Sequence, residues 1–229
     1  REMELLLHII NKYRVNSILD IGCGTGHHLQ ALSGYVDKLV GLDPLKDTIE
    51  YAQNKVVTAK NVTLKVGGFE DLGHMDLPEF DLVMSLGNTL TLPGTRRKVK
   101  QALKHCRKKL SKEGAALFQF LNFNRSIIEK NSYYRPKVVR WEGKQYLFLK
   151  HFNYGRIKTK ADFIIAGIGD GDKVEHFEIN SSLMCTLKRS LFISMAKNAG
   201  YSDIELRGPS GKEGFNYQKD ISLYALLNK

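Results

Sequence analysis

The sequence predicts an α/β protein, a doubly wound sheet carrying an antiparallel β insertion after strand five. Three observations carry that expectation. Short, continuously apolar runs alternate with helical patterns over the first 121 residues, as strands do when helices cover both faces of a sheet. The first of these runs ends in a glycine-rich turn, LDIGCGTGHH at residues 19–28, directly before a helical pattern. From Lys137 to Cys185 the rhythm changes to four strand-like segments separated by glycine-containing turns.

Taken in order, a helix is expected over 2–13, a strand over 17–21 and a helix over 25–32. A strand over 38–42 leads to a helix over 44–57 that aligns Leu45, Ile49, Ala52 and Val56 on one face. Strands follow at 62–66 and 80–86. In RRKVKQALKHCRKKLSK, residues 96–112, the apolar residues Val99, Ala102, Leu103, Cys106 and Leu110 recur at helical spacing and leave the cations on the opposite face. A strand at 115–121 comes next. Within the insertion, GDGD at 169–172 is the clearest hairpin signal. A helix over 187–199, closed by Gly200 as a left-handed cap, returns the chain to the sheet, and strands near Ile204 and at 221–227 bring the count to seven. The core domain is therefore expected at 1–122 and 187–229, with 123–186 forming an antiparallel lid over the substrate site.

Composition narrows the classes. No apolar stretch approaches the ~20 residues of a membrane span, so a soluble protein is expected, with no membrane partner. Cys23, Cys106 and Cys185 are odd in number and far apart, which argues against disulfides and metal and favours a cytoplasmic, reducing location. The chain opens on Arg1, so upstream residues are expected to be missing. A net charge of +11 suits either an anionic partner such as nucleic acid or a well-solvated helix face over 96–112.

The glycine turn carries the chemistry. A strand that ends in Asp20 and turns through GCGTG into a helix sets bare N–H groups over the carboxyl edge of the sheet. A G-x-G-x-x-G dinucleotide fingerprint would need a third glycine where His27 stands. In VGLDP, residues 40–44, Asp43 ends the next strand, where a carboxylate can accept both ribose hydroxyls or else cap the helix begun at Pro44.

LDIGCGTG resembles motif I of the class I S-adenosylmethionine-dependent methyltransferases, and FDLVMSLGNTLTLPG, residues 80–94, resembles their motif IV. The LGN version of the latter, with FQFLNFNRSI at 118–127, is similar to the glycine and sarcosine N-methyltransferase group. The resemblance implies a Rossmann-like seven-stranded sheet and S-adenosyl-L-methionine as cofactor. It assigns cofactor contacts to Asp20, Gly22, Cys23, Gly24, Gly26, Asp43, Pro44, Gly68, Phe69, Glu70, Ser85 and Leu86. In KVGGFEDL, Gly68 stands where the family often has an acid, leaving the Phe69 backbone and Glu70, then Asp71, as substitutes. His27 and His28 either touch the cofactor or lie on the surface.

The expected activity is methyl transfer to a small molecule at an amine nitrogen. A sulfonium already activates its methyl group, so positioning does most of the work and a base is optional. No nucleophile triad or metal cluster is apparent, and no catalytic residue is assigned. Substrate contacts are expected from Asn88, Asn122, Asn124 and Arg125 beyond strands four and five, with Arg125 suited to a substrate carboxylate; turn roles are the alternative. Tyr133, Tyr134, Trp141, His151 and Tyr154 either wall the pocket or form ordinary sheet core. Alternative functions are methylation of RNA or protein, a non-catalytic cofactor-binding subunit, and, more remotely, an NAD-dependent oxidoreductase.

Overall fold

The computed structural model describes residues 2–129, 132–169, 173–210 and 213–229. Its first half alternates α1 (Glu2–Tyr13), β1 (Ser17–Ile21), α2 (His27–Leu32), β2 (Lys38–Asp43), α3 (Lys46–Tyr51), β3 (Val62–Val66), β4 (Phe80–Ser85), α4 (Arg96–Lys108) and β5 (Leu110–Leu121). After α5 (Phe123–Glu129) come β6 (Lys137–Trp141), β7 (Lys144–Tyr154), β8 (Lys158–Ile168) and β9 (Val174–Cys185). The chain closes with α6 (Arg189–Asn198), β10 (Ile204–Arg207) and β11 (Ser222–Asn228).

Seven strands form one sheet in the order β10-β11-β5-β4-β1-β2-β3. β1 pairs in parallel with both β2 and β4, while β11 runs antiparallel to β5 and β10. Connections leave β1 in opposite directions, which opens a crevice at the carboxyl ends of β1 and β4. Both faces of this sheet are filled. Leu19, Ile21, Val83, Ala116, Phe118 and Phe120 pack towards α4 and α6, and their neighbours Ile18, Leu82, Met84, Ala115 and Leu117 pack towards α1 and α2. The continuous apolar runs are thus explained by two cores on opposite sides of one sheet.

The expected doubly wound α/β architecture is observed, with local corrections. α2 starts two residues later than its pattern because Gly26 sits at φ +79°, outside helical space. The helix expected over 44–57 is α3 followed by a π turn, 52–56. Pro44 and Leu45 stay outside it because the Asp43 carboxylate accepts the Leu45 N–H at 3.0 Å; Leu45 is accordingly exposed and not on the buried face. α4 stops at Lys108 and the chain turns straight into β5, five residues before the expected strand start. Lys109 fixes that turn by donating its Nζ to the carbonyls of Met75 and Leu77. β4 ends at Ser85, one residue early, and α6 is shorter at both ends. Gly200 adopts the expected left-handed cap at φ +95°. Of the GDGD hairpin, residues 170–172 lie outside the described residues.

The insertion folds as its own antiparallel sheet, β6-β7-β8-β9. Cross-strand register assigns its side chains to two faces. One face carries Phe152, Ala161 and Met184, which are buried in the core, and the other carries Val138, Phe177 and Ile179, which are exposed.

Candidate cofactor and acceptor site

The glycine turn is tied to the neighbouring strand. The N–H groups of Gly22 and Cys23 both donate to the Leu42 carbonyl, at 2.7 and 2.9 Å. Gly22, Gly24 and Gly26 all have positive φ, +78°, +54° and +79°, a conformation that L side chains rarely adopt. A Cβ at Gly24 would meet nothing within 4 Å, so the turn presents bare backbone to open space. Gly24 donates its N–H to Asp43 Oδ2 at 3.0 Å, which locks the loop to the end of β2. Asp43 is 8% exposed, and each of its oxygens takes one backbone N–H, leaving further lone pairs free.

Above this lies a cavity of about 470 Å³, lined on one side by Gly22, Asp43 and Pro44 and on the other by Gly68, Phe69 and Thr89. The loop after β3 is held in place from α4. Lys98 pairs with Glu70 at 2.7 Å, and His105 Nδ1 donates to the Phe69 carbonyl at 3.2 Å. Lys98, Arg107 and Lys109 on the basic face therefore bind partners within the chain, Arg107 through the Gly200 carbonyl.

A charged network lies behind the turn. Asp20 is buried, and burial pushes its carboxyl up to about 7, reinforced by the negative charges of Asp43 and Glu2 and opposed by His28. His28 Nε2 lies 3.0 Å from Glu2 Oε2, and the Tyr224 hydroxyl donates to Glu2 Oε1 at 2.6 Å. Glu2 raises the pKa of the His28 imidazole, and His28 lowers that of the Glu2 carboxyl, so this pair fastens α1 to α2.

Six expected cofactor residues line the cavity: Gly22, Asp43, Pro44, Gly68, Phe69 and Glu70. The others support it. Ser85 holds β4 to β1 by donating its hydroxyl to the Ile21 carbonyl at 2.8 Å, Leu86 is buried beside it, and Cys23 packs its sulfur over Gly41. Burial raises the Cys23 thiol well above its usual range, which leaves it unreactive. Ile21, Leu45, Asp71, Thr89, Leu92 and Pro93 line the cavity without having been singled out as cofactor contacts, apart from Asp71 as a substitute. Gly41 was also missed. A Cβ there would stand 2.4 Å from Leu29 and 2.7 Å from Leu64, so this glycine lets α2 close on the sheet.

A second cavity, about 320 Å³, adjoins the first through Leu92, which lines both. Its walls are Gly87, Asn88, Lys150, Phe152, Phe163 and Ser182 among others, so the inserted sheet roofs the strand-four turn. The Lys150 ammonium lies over the Phe163 ring at 5.1 Å, and the buried Ser182 hydroxyl has no hydrogen-bond partner. The other expected substrate residues divide. Tyr154 faces inward, stacked on Phe152, with its hydroxyl buried close to that of Tyr134. Asn122 donates to the carbonyls of Tyr217 and Asp220, and Arg125 Nη1 donates to the Lys219 carbonyl, so both clamp the loop before β11. Asn124 caps α6 by accepting the Arg189 N–H. His151 lies on the outward face of β7, paired with Asp162 at 3.1 Å, with its ring tilted at 38° to that of Tyr133.

Comparison with known proteins places this architecture. A S-adenosylmethionine-dependent methyltransferase from Clostridium acetobutylicum superposes with a TM-score of 0.78 over 98% of this chain and 89% of its own, at 12% identity. The fold is that of the S-adenosylmethionine-dependent methyltransferases. CalS10 from Micromonospora echinaspora, an amino pentose methyltransferase solved with S-adenosylmethionine bound, superposes with a TM-score of 0.73 over 99% of this chain and 90% of its own, at 18% identity. Residues 18–114 match the family described as a methyltransferase domain. In sequence, 70 residues are 39% identical to the uncharacterized methyltransferase YcgJ of Bacillus subtilis, 29% of this chain and 26% of that protein. S-adenosylmethionine is bound in CalS10; in this chain the corresponding cradle offers bare glycine backbone, a carboxylate with spare lone pairs, and an apolar wall at Phe69 and Pro44.

Proposed function

We propose that this chain is a S-adenosylmethionine-dependent methyltransferase that acts on a small molecule at an amine nitrogen, with residues 123–186 serving as the lid over the acceptor. The observation that carries the reading is the pair of cavities joined at Leu92, one built on the glycine turn and Asp43, the other roofed by the inserted sheet. The amino pentose activity named for CalS10 is consistent with it.

When bound, the cofactor supplies an electrophilic methyl group on sulfur, so this chain has to hold the acceptor in line and keep water out. Asp43 would take the ribose hydroxyls, with Gly22 and Gly24 allowing close approach and Phe69 and Pro44 packing the base. Among the described residues that line the acceptor cavity none is acidic, and the Lys150 ammonium disfavours a second cation beside it. An amine is therefore held neutral, with its lone pair available.

Two measurements test this. Saturating S-adenosylhomocysteine, at ~100 times its dissociation constant, should stabilise the chain by ~2.7 kcal/mol. Labelled methyl transfer to a panel of small amines should then identify acceptors. No thermal shift and no transfer would sink the reading. Lys98, Arg107 and Lys109 of the basic face are bound within the chain, which leaves a methyltransferase of RNA to rely on the remaining cations such as Lys100; salt-resistant retention of RNA would favour that second reading.

A further inference from the structure

A third cavity, about 410 Å³, opens where the start of α4, the β7–β8 turn and the start of α6 meet, and it is lined by Arg96, Arg156, Lys188, Thr186 and Ser190 among others. Among the described residues no carboxylate lies within ion-pair distance of Arg96, Arg156 or Lys188, although the chain carries 24 acidic residues. Of the other described cations, Lys98, Lys144 and Lys160 have carboxylate partners while some, such as Lys100, stand singly on the surface, so what sets Arg96, Arg156 and Lys188 apart is that they share one concavity. Three cations left together around one concavity repel each other, a cost that a bound anion removes. The first turns of α4 and α6 add partial positive charge of the same sign to this space.

Its place in the fold links it to the acceptor. Ser182 and Met184 of β9 line the acceptor cavity, and Thr186, the next residue in the alternation, lines the cationic one. Two residues of strand span about 7 Å. On the other wall Leu92 lines the acceptor cavity and Arg96 the cationic one. An acceptor whose amine lies beside Leu92 and Met184, with a phosphate about 7–13 Å further along the strand, would reach both.

We infer that the Arg96–Arg156–Lys188 cavity holds a phosphate group of the acceptor, so that the substrate class is a phosphorylated or nucleotide-linked amine. This rests on the methyltransferase reading above. Arg156 forks around two phosphate oxygens, Lys188 and Arg96 neutralise the remaining charge, and Ser190 offers a hydroxyl.

The test uses the full chain with inorganic pyrophosphate as probe, titrated by calorimetry with S-adenosylhomocysteine present and with sodium chloride at matched ionic strength. Pyrophosphate should bind with a dissociation constant near or below ~1 mM, and Arg156→Ser and Lys188→Ser should each weaken it by ~10-fold or more. Both positions are at least partly exposed, and S-adenosylhomocysteine affinity, unchanged in both variants, verifies that they fold. A matched pair of acceptors, an amino sugar and its phosphate ester, should differ by ~10-fold or more in kcat/KM, with Arg156→Ser erasing the difference through KM. Absence of pyrophosphate binding at ~10 mM, unaltered binding in both variants, or equal rates for the two acceptors overturns the inference while leaving the methyltransferase reading intact. Tighter displacement of pyrophosphate by a short single-stranded RNA than by a nucleoside diphosphate also overturns it. Failure of S-adenosylhomocysteine to bind overturns the methyltransferase reading instead.

Discussion

The two sheets of this protein solve the problem of covering themselves in different ways. The seven-stranded sheet is buried on both faces, so Ile18, Leu19 and Ile21 of β1 and Leu82, Val83 and Met84 of β4 are divided between two cores. The inserted sheet is covered on part of one face: Phe152 and Met184 point to the core, while Trp141 on the same face and Phe177 and Ile179 on the other meet solvent at 61%, 62% and 52% exposure. The first arrangement makes a platform whose strand ends are tied to the glycine turn, through Gly24 to Asp43 at 3.0 Å and through Gly22 to Leu42 at 2.7 Å. The second makes a half-anchored roof. What differs between relatives of one fold is expected to be the roof, because a site takes its cofactor from the platform and its acceptor from what lies above.

The largest test of that contrast is a pair of truncations. Phe118→Ala empties a fully buried position between β5 and α6, where its ring meets Phe192 edge-on at 6.4 Å, and should cost ~3–5 kcal/mol in denaturant unfolding. Phe177→Ala, on the exposed face of β9, should change stability by less than ~0.5 kcal/mol. Comparable losses in the two variants would mean that the outer face of the inserted sheet is covered in solution.

Next in size is Asp20, a platform residue whose carboxyl is pushed up to about 7 from an ordinary value of 3.8, chiefly by burial. A raised carboxyl favours folding while it is protonated, so its contribution is complete below pH 3.8 and is lost as pH rises through about 7. The loss is on the order of a few kcal/mol, and Asp20→Asn should flatten it. Unfolding of both forms at pH 5 and pH 8 measures the slope. A cationic cofactor near Asp20 would favour the ionised carboxyl, so binding should release protons between these limits, visible as a buffer-dependent heat. An identical slope in the wild type and in Asp20→Asn would remove this role.

Asp43 and His151 contrast the sheets at the level of ligand. Asp43→Asn keeps the size of the side chain but removes the charge from two N–H contacts and from the cavity wall, and should weaken S-adenosylhomocysteine ~10- to 100-fold. His151→Gln breaks a pairing on the outward face of the roof and should leave that affinity unchanged. Calorimetry on both variants decides; a loss in His151→Gln would mean that the two sheets communicate.

Much of this was legible beforehand, for reasons that differ by residue. β1 and β3 have the bounds their apolar runs predict, since nothing beyond the strand pattern is needed to end them. The glycine turn and Asp43 were legible because few other demands put three positive-φ residues next to a strand end. The start of α3 was not, because it depends on one hydrogen bond from Leu45 to Asp43 that competes with helix extension. Thr89, Leu92 and Pro93 were missed as cavity residues because a short 3₁₀ turn at 89–91 brings them back over Gly22, and no periodicity announces such a turn. Asn122 and Arg125 were matched to the substrate by motif, yet the loop before β11, nearly a hundred residues on, takes up their hydrogen-bonding groups. Partners that distant in sequence leave no local signal.

The smallest test concerns the basic face of α4, for which the sequence left open a solvated surface or an anionic partner. The structure divides those cations. Lys98 reaches back 2.7 Å to Glu70 on the cavity wall, while Lys100 is exposed and has no such partner. Exposed ion pairs contribute only ~0.2–1 kcal/mol, so Lys98→Ala should barely move the unfolding midpoint. Its effect should fall on the loop that carries Phe69 and Glu70, which loses one of its two ties to α4 and keeps the other through His105. S-adenosylhomocysteine affinity should therefore fall ~2- to 3-fold in Lys98→Ala, within the range of a single exposed pair. Lys100→Ala should leave it unaltered. Identical affinities in the two variants would reduce the whole face to solvation; the expected difference makes part of a basic stripe, at first sight a nucleic-acid surface, a brace for the platform's own ligand.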